Sequence, residues 1–129
     1  MTRREWNRLA VSGLAAAALP VNSFAQKPNS KFKGVQIGVQ SYSFRDRPLD
    51  DALKAMVEVG LSSCELWQGH VEPKGVRGEA LRAWRISTPL DEFKAVRAKF
   101  DRAGIDLYAY NYSFKEDFTD EEIARGFEM

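Results

Sequence analysis

One short pattern occurs twice in the chain and limits its fold more than any other feature. An amphipathic helical segment ends at a glycine, an apolar residue follows, and a strand-forming segment begins, as in Val59-Gly60-Leu61 and Ala103-Gly104-Ile105. Glycine commonly ends a helix because it adopts the left-handed backbone conformation without strain. Strands that alternate with helices in this way indicate βαβ units and a parallel sheet. We therefore predict an α/β fold.

Three strands are predicted. Apolar and polar residues alternate over residues 35–40, and a period of two is typical of a strand. The second strand covers Ser63 to Trp67 and the third covers Ile105 to Asn111. Residues 68–87, which are rich in glycine, are expected to be a long connection between the second strand and the next helix.

Two complete helices and the start of a third are predicted. Pro48 fits the first turn of the first helix, whose apolar face is Leu49, Ala52, Leu53, Met56 and Val57. Thr88 is expected to cap the second helix, whose buried face is Leu90, Phe93, Val96 and Phe100. Thr119 and Glu122 form a capping box ahead of Ile123, Ala124 and Phe127.

The first 25 residues have the layout of an export signal. Arg3, Arg4 and Arg8 precede an apolar run from Leu9 to Leu19, and a small-residue cleavage site ends at Ala25. The arginine pair resembles a bacterial twin-arginine signal. This predicts a periplasmic or secreted protein without stable membrane insertion after cleavage, and an uncleaved amphipathic anchor helix is the alternative. Residues 26–33 are expected to be a linker.

Charge and cysteine content exclude some classes of protein. A net charge of +1 favours neither nucleic acid nor an anionic membrane as a partner. The single cysteine, Cys64, excludes an internal disulfide bond and a cysteine-based zinc site, and it is expected to be a buried apolar residue. No phosphate-binding glycine motif is present. Arg77, Arg82 and Arg85 are expected to form a solvated face, with an anionic substrate as the alternative.

Candidate site residues follow the predicted strands. In a parallel α/β barrel, reactive groups lie at the carboxyl ends of the strands. Polar and aromatic side chains occur at each of these ends: Tyr42 and Phe44 after the first strand, Glu65, Trp67 and His70 at the second, and Asn111 and Tyr112 at the third. Structural alternatives stay open: Tyr42 and Phe44 could cap the barrel mouth or pack under a loop, Trp67 could fill the core, Glu65 could bond to a neighbouring strand, and His70 could be a solvated loop residue.

The segments 35–44, 61–67, 104–107 and 118–129 together resemble the xylose isomerase-like TIM barrel superfamily, in particular its exported sugar phosphate isomerase/epimerase branch. The resemblance covers residues 34–129. It implies the first two to three βα units of a (β/α)₈ barrel, incomplete, behind a signal helix. A whole barrel takes about 250 residues, so we expect the chain to be an N-terminal fragment, with an unusually small open α/β sheet as the alternative.

The resemblance also implies a chemistry. The family moves a proton next to a sugar carbonyl with the help of a divalent metal, Mn²⁺, Mg²⁺ or Zn²⁺, bound by strands of the second half of the barrel. No metal ligand is therefore assigned here, and His70 is the one candidate. The expected substrate-binding residues for a sugar or sugar derivative are Tyr42, Glu65, Trp67, His70 and Asn111. Whether the chain is itself an enzyme stays open, and the fragment alone is expected to be inactive.

Two other functions compete with a sugar isomerase or epimerase. A secreted sugar-binding protein on the same scaffold would use the same pocket without catalysis. A barrel endonuclease for damaged DNA is disfavoured because the charge is near neutral and no basic stripe is present.

Overall fold

A computed structural model describes residues 27–129. The predicted export signal lies outside the described residues. The described elements are, in chain order, β1 (Lys31–Phe32), β2 (Val35–Gln36), β3 (Val39–Gln40), a 3₁₀ turn at Ser41–Phe44, α1 (Leu49–Glu58), β4 (Ser63–Trp67), a 3₁₀ turn at Gln68–His70, α2 (Gly78–Ser87), α3 (Leu90–Ala103), β5 (Asp106–Asn111) and α4 (Asp120–Glu128). The predicted α/β class is confirmed. None of these helices is long and apolar enough to cross a membrane.

The main sheet has three parallel strands in the order β3-β4-β5. Cys64 of β4 pairs with Val39 on one side and with Leu107 on the other. Helix α1 connects β3 to β4, and helices α2 and α3 lie between β4 and β5 in the chain. Because the strands are parallel, their carboxyl ends meet at the same edge of the sheet.

The first predicted strand is divided in the structure. Strand β2 pairs antiparallel with β1, and β1 lies inside the segment predicted to be a linker. Strand β3 instead joins the parallel sheet. Between them, the Ile37 N–H donates to the Ser30 carbonyl. Val35 and Ile37 are 65% and 50% exposed. Burial of their side chains therefore does not stabilise this segment as one continuous strand. The prediction of a single strand over these residues was wrong for this reason.

The hydrophobic core lies between one face of the sheet and helices α1 and α3. It consists of Leu49, Ala52, Leu53, Met56, Cys64, Leu66, Phe100, Ile105 and Leu107. Burying an aliphatic or aromatic side chain of this size contributes about 1.5–3 kcal/mol. The predicted apolar faces of both helices are therefore largely confirmed. On the opposite face of the sheet, Asp106 and Tyr108 are exposed.

Both predicted glycine stops are confirmed. Gly60 and Gly104 have φ values of +82° and +71°, in the left-handed region. In each case the N–H of the next residue donates to a carbonyl five positions earlier in the chain, from Leu61 to Met56 and from Ile105 to Phe100. This arrangement satisfies a carbonyl that the helix end would otherwise leave without a partner.

The segment predicted to be a long connection contains a helix that the sequence pattern did not reveal. Helix α2 occupies ten residues of it. The predicted cap at Thr88 was also wrong, because the Thr88 hydroxyl donates back to the Trp84 carbonyl at the end of α2. Pro89 stands at the N-cap of α3 without a side-chain hydrogen bond.

The last helix begins as predicted but turns a different face inward. The capping box is present: Thr119 Oγ1 accepts from the Glu122 N–H, and the Glu122 carboxylate accepts from the Thr119 N–H. The residue that α4 buries is Glu122, which is 1% exposed, whereas Ile123 and Phe127 are 36% and 80% exposed. The side chain that α4 buries is therefore an ion-pairing carboxylate rather than an apolar residue.

Candidate functional site

The five predicted substrate-binding residues lie near one edge of the molecule. Glu65 and Trp67 belong to β4, Asn111 ends β5, and the two 3₁₀ turns that follow β3 and β4 carry Tyr42 and His70. This is the carboxyl edge of the parallel sheet, where α/β proteins of this topology place their reactive groups. The tertiary structure thus brings together residues that are up to about seventy positions apart in the chain.

Glu65 is held by two amides from the neighbouring strands. Gln40 Nε2 donates to Glu65 Oε1 over 2.8 Å, and Asn111 Nδ2 donates to the same oxygen over 3.1 Å. The structural alternative for Glu65, a bond to a neighbouring strand, is therefore present on both sides. No hydrogen bond from the described residues reaches Glu65 Oε2, so this oxygen can accept one from a ligand hydroxyl.

Trp67 forms an aromatic row with Tyr42 and His70. The centroids of the Trp67 and Tyr42 rings are 5.0 Å apart and those of Trp67 and His70 are 5.5 Å apart, both with edge-to-face geometry. Such pairs contribute about 0.5–1.5 kcal/mol beyond the area they bury. Tyr42 is 45% exposed and Trp67 is half-buried, so the row faces solvent in part.

Ser41 connects these residues and was not predicted as part of the site. Its side chain is fully buried, and its Oγ accepts from the Trp67 N–H over 2.8 Å and lies 2.9 Å from His70 Nδ1. Gln40 was missed as well. A serine or glutamine at the end of a strand gives no sign of a partner 25 or more residues away, so only the register of β3 and β4 could have revealed these contacts.

His70 contacts backbone carbonyls in and after the turn that follows β3. Its Nε2 lies 3.3 Å from the Phe44 carbonyl and 3.2 Å from the Arg47 carbonyl. Since both oxygens are acceptors, we assign the ring proton to Nε2, and Nδ1 then accepts from the Ser41 hydroxyl. The alternative of a solvated loop histidine does not describe this arrangement.

The described residues do not fit a resident metal ion. In the assigned tautomer neither nitrogen of His70 offers a free lone pair, and residues 27–129 contain no group of three or more His, Cys, Asp or Glu side chains with metal-binding geometry. We therefore assign none of the described residues as a ligand of the divalent metal that the family resemblance implies.

Tyr112 and two of the three arginines lie elsewhere. Arg85 is 5% exposed and pairs with Glu72 over 2.7 Å, so the expected solvated face was wrong for this residue. Arg82 is partly exposed and pairs with Glu122 over 2.7 Å. Tyr112 is buried beneath Arg85, whose guanidinium carbon lies 5.1 Å from the ring centroid. Tyr112 is therefore covered and does not offer an exposed side chain beside Asn111.

Burial changes the acidity of groups next to the site. It raises the pKa of the Cys64 thiol to about 12, and it also raises the pKa of Tyr110 and of Tyr112. A thiol with such a pKa is protonated at neutral pH and is a poor nucleophile. The prediction that Cys64 is a buried apolar residue is confirmed.

The fold and this edge define an α/β protein with a polar and aromatic cluster at the carboxyl end of a parallel sheet. Comparisons with protein families, curated proteins and solved structures found no match to the chain. The resemblance to xylose isomerase-like barrels thus rests on the sequence motifs alone.

Proposed function

We propose that the chain is the substrate-binding N-terminal part of a sugar isomerase/epimerase-type enzyme and that it binds a sugar at the carboxyl edge of β3, β4 and β5. The observation that carries the proposal is the Glu65 carboxylate, which Gln40 and Asn111 hold on the same strand as Trp67. The other members of the proposed site are Tyr42 and His70.

The combination of a fixed carboxylate and an aromatic ring suits a polyol. Glu65 and Trp67 are two residues apart on one strand, so their side chains point to the same face about 7 Å apart. Oε2 of Glu65 would accept a hydrogen bond from a sugar hydroxyl, and the Trp67 ring would pack against the apolar C–H face of the sugar. A ligand with hydroxyls on its rim and C–H groups on its face satisfies both contacts at once.

Within this proposal Glu65 binds and orients the substrate. The proton transfer next to the sugar carbonyl, which the family resemblance implies, is assigned to none of the described residues. No second carboxylate of the described part of the chain hydrogen-bonds to Glu65, Gln40 or Asn111. The second candidate is a sugar-binding protein on the same scaffold without catalysis, and deuterium uptake next to the sugar carbonyl would exclude it.

The binding proposal is tested by NMR titration of the ¹⁵N-labelled full chain with D-xylose, D-glucose and D-fructose. We expect at least one sugar to shift the side-chain amide signals of Gln40 and Asn111 and the indole signal of Trp67. Glu65→Gln keeps an acceptor for the two amides but loses the charge, and a hydrogen bond to a charged group contributes about 1.5–3 kcal/mol, so we expect binding to weaken about tenfold or more.

The matched control is Asp91→Asn, which removes an exposed carboxylate from α3 whose partner, Lys94, is also exposed. It should leave the affinity unchanged. If none of the three sugars shifts these signals, or if both variants weaken binding equally, the proposed site is wrong.

Catalysis is tested separately by incubating the full chain with the bound sugar in deuterated water, with Mn²⁺ or Mg²⁺ added. Deuterium uptake at the carbon next to the carbonyl supports the isomerase or epimerase. Binding without deuterium uptake is the result that both candidates predict for this part of the chain, because none of the described residues is assigned the proton transfer.

A further inference from the structure

The indole ring of Trp67 packs directly against the backbone of Gly69. A Cβ placed on Gly69 would lie 2.2 Å from Trp67 Cη2, 2.3 Å from Cζ2 and 2.6 Å from Cζ3, far inside the distances that real contacts allow. Gly69 is not among the described glycines with positive φ. Space for the indole ring, rather than an unusual backbone conformation, therefore requires glycine at this position.

The ring has neighbours on other sides as well. Tyr42 and His70 contact it edge to face, with centroids 5.0 and 5.5 Å away. The backbone N–H of Trp67 donates to Ser41, which is fully buried. A Cβ on Gly69 could be accommodated only if the indole moved, and the edge-to-face contacts with Tyr42 and His70 oppose that movement.

The turn that carries Tyr42 is fixed by the same residues. His70 holds the carbonyls of Phe44 and Arg47 with Nε2 and contacts Ser41 with Nδ1. Ser41 thus bonds to Trp67 and contacts His70 at the same time. The aromatic row and the strand that carries Glu65 form one connected structure, with Gly69 against the ring and Ser41 bonded to the backbone of Trp67.

We propose that Gly69, together with Ser41 and His70, positions the Trp67 ring as a fixed stacking surface for the ring of a sugar. This inference rests on the proposed function. Gly69 does not contact the sugar: it acts through Trp67, because any side chain at position 69 displaces the indole. A variant with a side chain at this position should keep its fold and lose affinity for the sugar.

The experiment uses the full chain labelled with 5-fluorotryptophan, with the Trp67 signal assigned by comparison with Trp67→Phe. In Gly69→Ala we expect the ¹⁹F signal of Trp67 to shift or broaden. The signal of Trp84, which packs near Phe93, serves as the internal control and should not change. We expect the affinity for D-xylose to fall about tenfold. An unchanged Trp67 signal in Gly69→Ala overturns the inference.

A double-mutant cycle separates ring positioning from general damage to the fold. In a Trp67→Ala background the obstructing ring is gone, so Gly69→Ala should change neither the D-xylose affinity nor the melting temperature further. Equal losses in both backgrounds would show that the ring is not the cause. If the unmodified chain binds no sugar, the proposed function fails and the stacking role with it, whereas the ¹⁹F signals still decide whether Gly69 positions the ring.

Discussion

The Arg85 guanidinium lies 2.7 Å from the Glu72 carboxylate, and 6% and 10% of the two side chains are exposed. Glu122, which is also buried, lies 3.9 Å from Arg85 and 2.7 Å from Arg82. These four residues form a buried ion-pair cluster that joins α2 to α4 and to the segment before α2. Arg85 also stacks over the rings of Tyr112 and Phe118.

Replacing Arg85 with methionine should strongly destabilise the protein. The variant keeps most of the side-chain volume but leaves Glu72 buried without its cation, and breaking a buried pair typically lowers the free energy of unfolding by about 3–5 kcal/mol. Urea denaturation followed by circular dichroism measures the loss. Lys94→Met, which breaks an exposed pair with Asp91, is the control and should cause no measurable change. Equal effects of the two variants would show that the cluster does not hold α4 in place.

Replacing Gly60 with alanine tests the helix stop. Nothing lies within 4 Å of a Cβ at this position, so the expected loss arises from the positive φ alone. A residue with a Cβ in the left-handed region costs about 1–2 kcal/mol, and asparagine tolerates this region better than alanine. We therefore expect the thermal midpoint of Gly60→Ala to fall below that of Gly60→Asn. The opposite order would exclude backbone strain as the cause.

The Cys64 thiol should be unreactive in the folded protein. It is fully buried, so a reagent cannot reach it. Burial also raises its pKa to about 12, so little of the reactive thiolate is present near pH 8. The reaction with a disulfide reagent such as DTNB, followed by absorbance, should be slow for the native chain and fast after addition of denaturant. Rapid modification of the native chain would show that β4 is not buried in solution.

Stability should fall as the pH rises from about 9 to about 12. The thiol of Cys64 has an ordinary pKa of 9.0 and a folded pKa of about 12, so in this range the folded state binds more protons than the unfolded state. The free energy of unfolding then decreases with pH. Partly buried Tyr110 and buried Tyr112 act in the same direction above pH 10, their ordinary pKa. Urea midpoints measured across this range should decline, and less steeply for Cys64→Ala.

Local patterns correctly predicted the two glycine helix stops. Gly60 and Gly104 are each followed by an apolar residue, and this local pattern is typical of a helix end. Their role could therefore be predicted without the tertiary structure. The position of Tyr42, Glu65, Trp67, His70 and Asn111 at one edge followed from the parallel arrangement of the strands.

Interactions between distant residues could not be predicted in the same way. Helix α2 was missed because its buried surface is made by Arg85, a residue type that usually indicates solvent, and the two carboxylates near it, Glu72 and Glu122, come from other segments. The first strand was overestimated because Val35 and Ile37 have the right period but no surface to cover them.

Residues close together in the chain were enough to predict the α/β class and the glycine ends of two helices. The folded structure was needed to show that two amides bind one oxygen of Glu65, that Ser41 links Trp67 to His70, and that Gly69 leaves room for an indole ring. The physical reason is that hydrogen bonds and steric contacts act over a few ångströms in space, whatever the separation along the chain.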